Sequence, residues 1–287
     1  SSWKFSFKAD FKIIKEVSSF SIFLLITSLI TTLVKNVYNI LIGRFFPIQQ
    51  LGYYFQANKF QQIPSNVISM TLSGVAYPVF SKLNTEPDRQ VLYLRKIMRI
   101  TSFLIFPVMI GLLSLTNELV TIVLTDKWLP AVPYFRLLVI AAIVYPFHML
   151  NLNFIIVKGY SKMSFWLEMI RNGLILISLF FCMRSIELMM IGYSVAGVLS
   201  YVCDMIFVQK NSSYKILDQL KDILPYGLIS AGMFLVVKLI GLISLGLYIT
   251  TTLQIIGAIA FYFITIKLLG SQVLNDGIAM IKGKSKL

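Results

Sequence analysis

Apolar runs of about twenty residues, each closed by a short polar break, recur along nearly the whole chain. That is the length that carries an α-helix across a bilayer. Runs and breaks predict eight helices, at roughly 17–42, 51–80, 97–119, 134–157, 163–183, 188–209, 225–245 and 248–269. The second is the exception in hydropathy. Its opening, LGYYFQANKFQQIPSN (Leu51–Asn66), holds Gln56, Asn58, Lys59, Gln61, Gln62, Ser65 and Asn66 within eleven residues. On pattern alone, a polar loop and a polar span are both open.

Charge separates the two. With a cytoplasmic N-terminus, the inside segments carry Lys4 to Lys15, Lys82 to Arg99, Lys158 and Lys162, Lys210 to Lys221, and Lys267 to Lys286, which is 18 cations. The outside segments carry only Arg44, Lys127, Arg136 and Arg184. Lys and Arg concentrate in cytoplasmic loops, so the tally predicts eight spans with both termini cytoplasmic. If 51–80 is removed as a span, every later loop changes side and the bias collapses. The polar stretch is therefore expected to cross the membrane.

Composition agrees: 57% of the residues are hydrophobic and the mean hydropathy is +0.80. The net charge of +14 would suggest nucleic acid in a soluble protein, but here it resides in loops. RNP-like, zinc-knuckle and helix-turn-helix patterns are absent, so no nucleic-acid partner is expected. In segment 1–16, Trp3, Phe7, Phe11 and Ile14 form a stripe beside Lys4, Lys8, Lys12 and Lys15. This reads as a helix lying on anionic lipids, and the basic tail 270–287 reads as a disordered segment attracted to the same lipids. The chain opens Ser1-Ser2 and shows no small-residue cleavage site, so it reads as a fragment or processed chain rather than a signal-bearing one. Cys182 and Cys203 lie in apolar runs without metal spacing.

Four cations remain inside spans: Lys35, Lys59, Arg171 and Lys238. Charge in the hydrocarbon layer is costly and usually faces a cavity or a partner. In the first span Ser21, Ser28, Thr32, Lys35 and Asn39 recur at helical spacing, with Asn36 on the flank. In the second, Asn58, Gln62, Asn66, Ser69 and Ser73 share a face flanked by Lys59, opposite Phe60, Val67, Ile68, Leu72 and Val75. Lys35 lies roughly 10 Å from the outer end of its helix and Lys59 about 12 Å from the start of the next. The two polar faces meet either in a dry hydrogen-bonded seam or around a water-filled cavity visited by an anion. Arg171 has an alternative in an ion pair with Glu168, three residues earlier. Lys238 can snorkel to the outer interface. His148 and Asn151, after Pro146, read as interhelical hydrogen-bonding groups, not a metal site. Pro64, Pro107 and Pro146 are candidate hinges, and Trp128 is an interfacial anchor. No nucleophile–base pair, intramembrane His/Asp pair, metal-ligand spacing or P-loop stands out, so no enzyme, metal or cofactor is expected.

The ordered segments LIGRFFPIQQLGYYFQA (41–57), YPVFSKL (77–83), YLRK (93–96), FPVMIGLLSL (106–115), DKWLPAVPYF (126–135) and KGYSK (158–162) resemble the second half of bacterial polysaccharide exporters of the Wzx type. These are lipid-linked oligosaccharide flippases of the multidrug/oligosaccharidyl-lipid/polysaccharide superfamily. The resemblance covers about residues 15–210, and the last two helices match in hydropathy alone. It implies an all-α integral membrane protein: one six-helix lobe (17–209) and two accessory helices (225–269), with a further N-terminal lobe missing. It also implies an undecaprenyl-diphosphate-linked oligosaccharide as substrate, moved across the bacterial inner membrane by alternating access, and a polysaccharide polymerase as a possible partner. Lys35, Asn36, Asn39, Lys59, Gln62, Asn66 and Arg171 are the candidate binding residues. Two departures bear on mechanism. Tyr38 stands where many relatives carry Asp, and Tyr160 where many carry Arg. A drug or metabolite antiporter of the same superfamily is the alternative, disfavoured by the mainly positive intramembrane charge. A membrane-embedded polymerase or acyltransferase ranks third.

Overall fold

The structure, a computed structural model, describes residues 11–243, 245–270 and 273–274, apart from the side chains of 11–21, 23 and 24. The side chains of the basic segment 1–16 and the tail 275–287 therefore lie outside the described residues, as does Ser21. The chain is an all-α integral membrane protein, with no strand among the described residues. Its helices are α1 (Phe11–Phe45), α2 (Ile48–Lys82), α3 (Pro87–Ser114), α4 (Thr116–Leu124), α5 (Val132–Val157), α6 (Ser161–Cys182), α7 (Ile186–Asn211), α8 (Ile216–Ile240) and α9 (Leu247–Leu268). A 3-10 segment, Asp126–Ala131, joins α4 to α5.

Among the described residues seven helices are long and apolar enough to cross a membrane, one fewer than expected. The shortfall is α2, which has the length but not the hydropathy. It is an unbroken helix of 35 residues, about 52 Å long at 1.5 Å per residue, so the polar stretch is not a loop. The span boundaries also shift. The third helix begins ten residues before the expected 97, at Pro87, and ends at Ser114 rather than 119. There Thr116 Oγ1 bonds back to the Leu112 and Leu113 carbonyls at 2.8 and 2.9 Å, and α4 follows as a separate piece. The expected start at 225 moves back to Ile216, with Pro225 inside the helix. Hydropathy marks the hydrocarbon layer, whereas hydrogen bonding carries each helix on into the polar interface.

The helices hold together as membrane helices do, through close packing and side-chain bonds to neighbouring backbones. Ser65 Oγ donates to Ala142 O (2.8 Å) between α2 and α5, and Ser194 Oγ to Leu137 O (2.6 Å) between α7 and α5. Asn172 Nδ2 donates to Thr31 Oγ1 (3.0 Å), tying α6 to α1. At Gly192 a Cβ would stand 3.0 Å from Cys182 Sγ, so α6 and α7 touch where a side chain is missing. Two apolar clusters result. The larger draws on α1–α3 and α5–α7, and the smaller joins α8 and α9 through Tyr226, Met233, Val237, Tyr262 and Ile266.

The connections sort to two ends. At one, Arg95 and Arg99 reach Asp222, and Lys158 Nζ donates to Asn211 O at 2.9 Å. At the other, the Tyr53 ring meets Trp128 edge-on at 6.1 Å, and Lys238 Nζ donates to Ser114 O at 2.9 Å. Segments that the charge tally assigns to one side thus meet at one end. Lys238 caps the carbonyl end of α3, a favourable place for a cation.

Candidate functional site

Two helices with polar faces frame the main cavity. α1 leans chiefly on α6 and α2 on α5, and between α1 and α2 opens a cavity of about 520 Å³. Lys35 and Asn39 line it from α1, and Asn58, Lys59, Gln62 and Asn66 from α2. Spacing of three and four residues puts the α2 set on one side of the helix. A smaller recess of about 40 Å³ shares Lys35, Gln62 and Asn66 with it and adds Arg171 and Tyr145. Six of the seven candidate residues therefore border one connected polar region. Asn36 does not line it: its Nδ2 donates to Thr32 O at 2.9 Å, within its own helix.

The polar face of α2 also divides. Gln61, Ser65 and Ser69 are buried. Gln61 Nε2 donates to Asn58 Oδ1 (2.8 Å) and Ser69 Oγ to Ser65 O (2.7 Å). Ser69, expected beside Asn66 on the open face, is turned into the packed side, where Ser65 meets α5. Leu72, expected on the opposite arc, is buried on that side too, while Val67 and Val75 stay exposed. A packed seam and an open cavity both occur, on adjoining strips of one helix.

Among the described residues neither Lys35 nor Lys59 lies within ion-pair distance of a carboxylate. Arg171 is buried, its guanidinium 5.2 Å over the Tyr145 ring. The expected Glu168 pair is present but long, 3.8 Å from Nη1 to Oε2. Glu168 has a closer partner: its Oε1 sits 3.1 Å from His148 Nε2, and His148 Nδ1 lies 2.5 Å from Asp204 Oδ2. His148 thus bridges two carboxylates across α5, α6 and α7, as a hydrogen-bonding group should. It also corrects the sequence reading, which found no intramembrane His/Asp pair and a mainly positive interior. The partners lie 56 positions apart, beyond any local motif. Asn151 differs from expectation too, since both its side-chain polar atoms are buried without a partner.

The aromatic part of the site has no signal in periodicity. Tyr38, Tyr54, Phe55 and Tyr193 line the cavity, and the Tyr38 and Tyr193 rings meet edge-on at 5.6 Å. Tyr38, the first departure from the resemblance, is therefore a wall residue. In the KGYSK segment Lys158 is engaged with the end of α7, and Tyr160 stacks edge-on against Phe207 at 5.7 Å. Chemically, ammonium and guanidinium groups suit phosphate oxygens. Amides can exchange hydrogen bonds with hydroxyls, and tyrosine rings offer flat apolar faces beside a polar tip. Among the described residues no three His, Cys, Asp or Glu side chains converge as a metal site.

Known proteins resemble the chain in both sequence and fold. Residues 1–133 match a family model described as polysaccharide biosynthesis protein. The teichuronic acid biosynthesis protein TuaB of Bacillus subtilis is 30% identical over 208 residues, 70% of this chain and 42% of the relative. The lipopolysaccharide biosynthesis protein WzxC of Escherichia coli is 22% identical over 125 residues, 44% of this chain and 25% of the relative. In fold, the chain matches the lipid II flippase MurJ in its inward closed conformation with a TM-score of 0.73 at 17% identity, over 85% of this chain and 52% of MurJ. An outward-facing multidrug transporter of the MATE family matches with a TM-score of 0.53 at 18% identity, over 77% of this chain and 53% of that one. The chain spans about half, or less, of each of these proteins. In sequence the chain is similar to polysaccharide biosynthesis proteins, WzxC among them, and its fold is that of the flippase MurJ and the MATE transporter.

Proposed function

We propose that the chain is the C-terminal part of a flippase that moves an undecaprenyl-diphosphate-linked oligosaccharide across the bacterial inner membrane by alternating access. The observation that carries this reading is the convergence of Lys35, Lys59 and Arg171 on one connected cavity, with neither lysine in an ion pair among the described residues. Three cations inside a span, of which Lys35 and Arg171 share Glu168 as their nearby acid, suit an anionic visitor, and a diphosphate brings charge enough for them. Asn39, Gln62 and Asn66 would then meet sugar hydroxyls, and Tyr54 and Tyr193 would offer ring faces to the sugars. In this reading residues 17–209 form one lobe, 225–269 an accessory pair, and an N-terminal lobe closes the cavity opposite. Both ends of the chain face the cytoplasm, and a polymerase receives the product.

The buried acids favour a second reading, cation-coupled antiport of a small molecule. Glu168 and Asp204 add negative charge to an interior that the sequence reading took as positive.

Complementation distinguishes the two. In the full-length protein, Lys35→Ala combined with Lys59→Ala is expected to abolish surface polysaccharide in an exporter-deficient strain at unchanged protein level. Normal polysaccharide from the double variant would remove these lysines from the mechanism. Drug resistance conferred by the wild type, without rescue of polysaccharide, would favour the antiporter.

A further inference from the structure

His148 is held by two carboxylates at once, and that fixes a count of hydrogens. Its Nδ1 lies 2.5 Å from Asp204 Oδ2 and its Nε2 3.1 Å from Glu168 Oε1. Each contact needs one hydrogen between nitrogen and oxygen, and a neutral imidazole carries a single N–H. Between two ionised carboxylates such a ring would turn a lone pair toward an anion. The geometry is satisfied by an imidazolium between two carboxylates, or by a neutral imidazole with one carboxyl protonated. Both arrangements hold the same extra proton and give the cluster one net negative charge. The side chains of His148 and Asp204 are 2% and 0% exposed, so bulk water does not fill the gap.

Glu168 is the member that looks both ways. Its Oε1 belongs to His148, while its Oε2 is buried without a hydrogen-bond partner, 3.8 Å from Arg171 Nη1. Arg171 borders the recess that Lys35 shares with the main cavity, and Glu168 and Arg171 both act on Lys35 electrostatically. With the extra proton in place, the cluster balances Arg171 alone and Lys35 keeps its charge for a ligand. Without it, the shorter contact to Asp204 keeps the remaining N–H, and the Nε2 lone pair repels Glu168 toward Arg171. Two carboxylates then balance Arg171 and Lys35 together, in competition with any phosphate.

The surroundings add no other acid to this exchange. α5 packs against α2, α3, α4, α6 and α7. The charged groups acting on His148 are Asp204, Glu168 and Arg171. Tyr145 of α5 and Tyr193 of α7 act on Arg171, and Tyr201 of α7 on Asp204. α2 and α3 turn the uncharged Ser65, Ser69, Thr101 and Ser102 into the core, each bonded to a backbone carbonyl. Glu118, Asp126 and Lys127 adjoin the start of α5, about 24 Å from His148 along that helix.

We propose that the Glu168–His148–Asp204 cluster is a proton-binding site linked to the α1–α2 cavity, so that a diphosphate and a proton bind together. This rests on the reading of that cavity as a diphosphate site. The proton comes from water when the anion binds and returns to water when it leaves. Each ligand tightens the other by the same factor.

The probe is farnesyl diphosphate esterified to one hexose, whose phosphates keep one strongly acidic group each and so a constant charge. Its binding to the detergent-solubilised full-length protein is measured from about pH 6 to about pH 9.5, across the ordinary histidine value and below that of lysine. The dissociation constant is expected to be about tenfold lower at the acid end. His148→Gln should bind weakly at both ends and Glu168→Gln tightly at both, whereas a merely structural cluster would move the two variants the same way. Wild-type affinity that is constant across the range, or that weakens toward acid pH, overturns the proposal whether or not the variants fold. A flat wild-type profile, with binding lost when Lys35→Gln and Lys59→Gln are combined, removes the proton site and leaves the cavity reading standing. Equal binding by that double variant and the wild type removes both.

Discussion

Two neighbouring residues on one helix, Arg171 and Glu168, separate binding chemistry from structural chemistry. Glu168 is engaged by His148, and His148 by Asp204, so the carboxylates are held whether or not Arg171 is present. His148→Leu would leave two buried acids without their bridge. Removing one partner from a buried charged pair costs about 3–5 kcal/mol, so thermal unfolding of the detergent-solubilised variant should show a large loss of stability. Arg171→Gln should cost far less stability and instead reduce transport, because the guanidinium faces the recess shared with Lys35. A similar unfolding loss in both variants would place Arg171 in the structural set. The candidate lysines were legible in the sequence because a lone cation in an apolar run stands out. Asp204 was not, since its partner is distant in sequence and burial cannot be read from spacing. Tyr193 was invisible for another reason: a tyrosine in a span is unremarkable until the helix opposite supplies the rest of the wall.

At the scale of the element, α2 is the instructive case. Its hydropathy argued for a loop, and only the distribution of charge over the other connections argued for a helix. Periodicity then found the polar face but not the line dividing its wet strip from its packed one, which depends on where α5 lies. Cysteine substitution can trace that line. With a water-soluble thiol reagent, cysteines at Asn58, Lys59, Gln62 and Asn66 should react, and those at Gln61, Ser65 and Ser69 should be protected. Uniform protection would make the whole face a dry seam. Glycines give a second test of helix packing. Gly74 has open space where a Cβ would go, so Gly74→Ala should gain about 0.5–1 kcal/mol from helix propensity. Gly192→Ala should instead destabilise, since α7 there touches Cys182 and Ser178 of α6. Equal effects at the two positions would mean that α6 and α7 are not so closely packed.

For the whole molecule, the segments assigned to one side by their lysines and arginines do meet at one end, through Arg95, Arg99, Lys158 and their partners. Membrane-impermeant labelling of intact cells should therefore reach a cysteine at Lys127 and spare one at Asn84; the reverse would invert the orientation. The architecture was legible from run lengths and charge. The helix ends were not, because hydrogen bonding extends the helices past the hydrocarbon layer. The central claim concerns the α1–α2 cavity, and it is tested most directly in proteoliposomes of the full-length protein carrying an undecaprenyl-diphosphate oligosaccharide. The account predicts protein-dependent transfer of that lipid between leaflets, lost by about tenfold or more when Lys35 and Lys59 are both replaced by Gln, as removal of two charge-assisted contacts implies. Transfer by the folded double variant at the wild-type rate would contradict it.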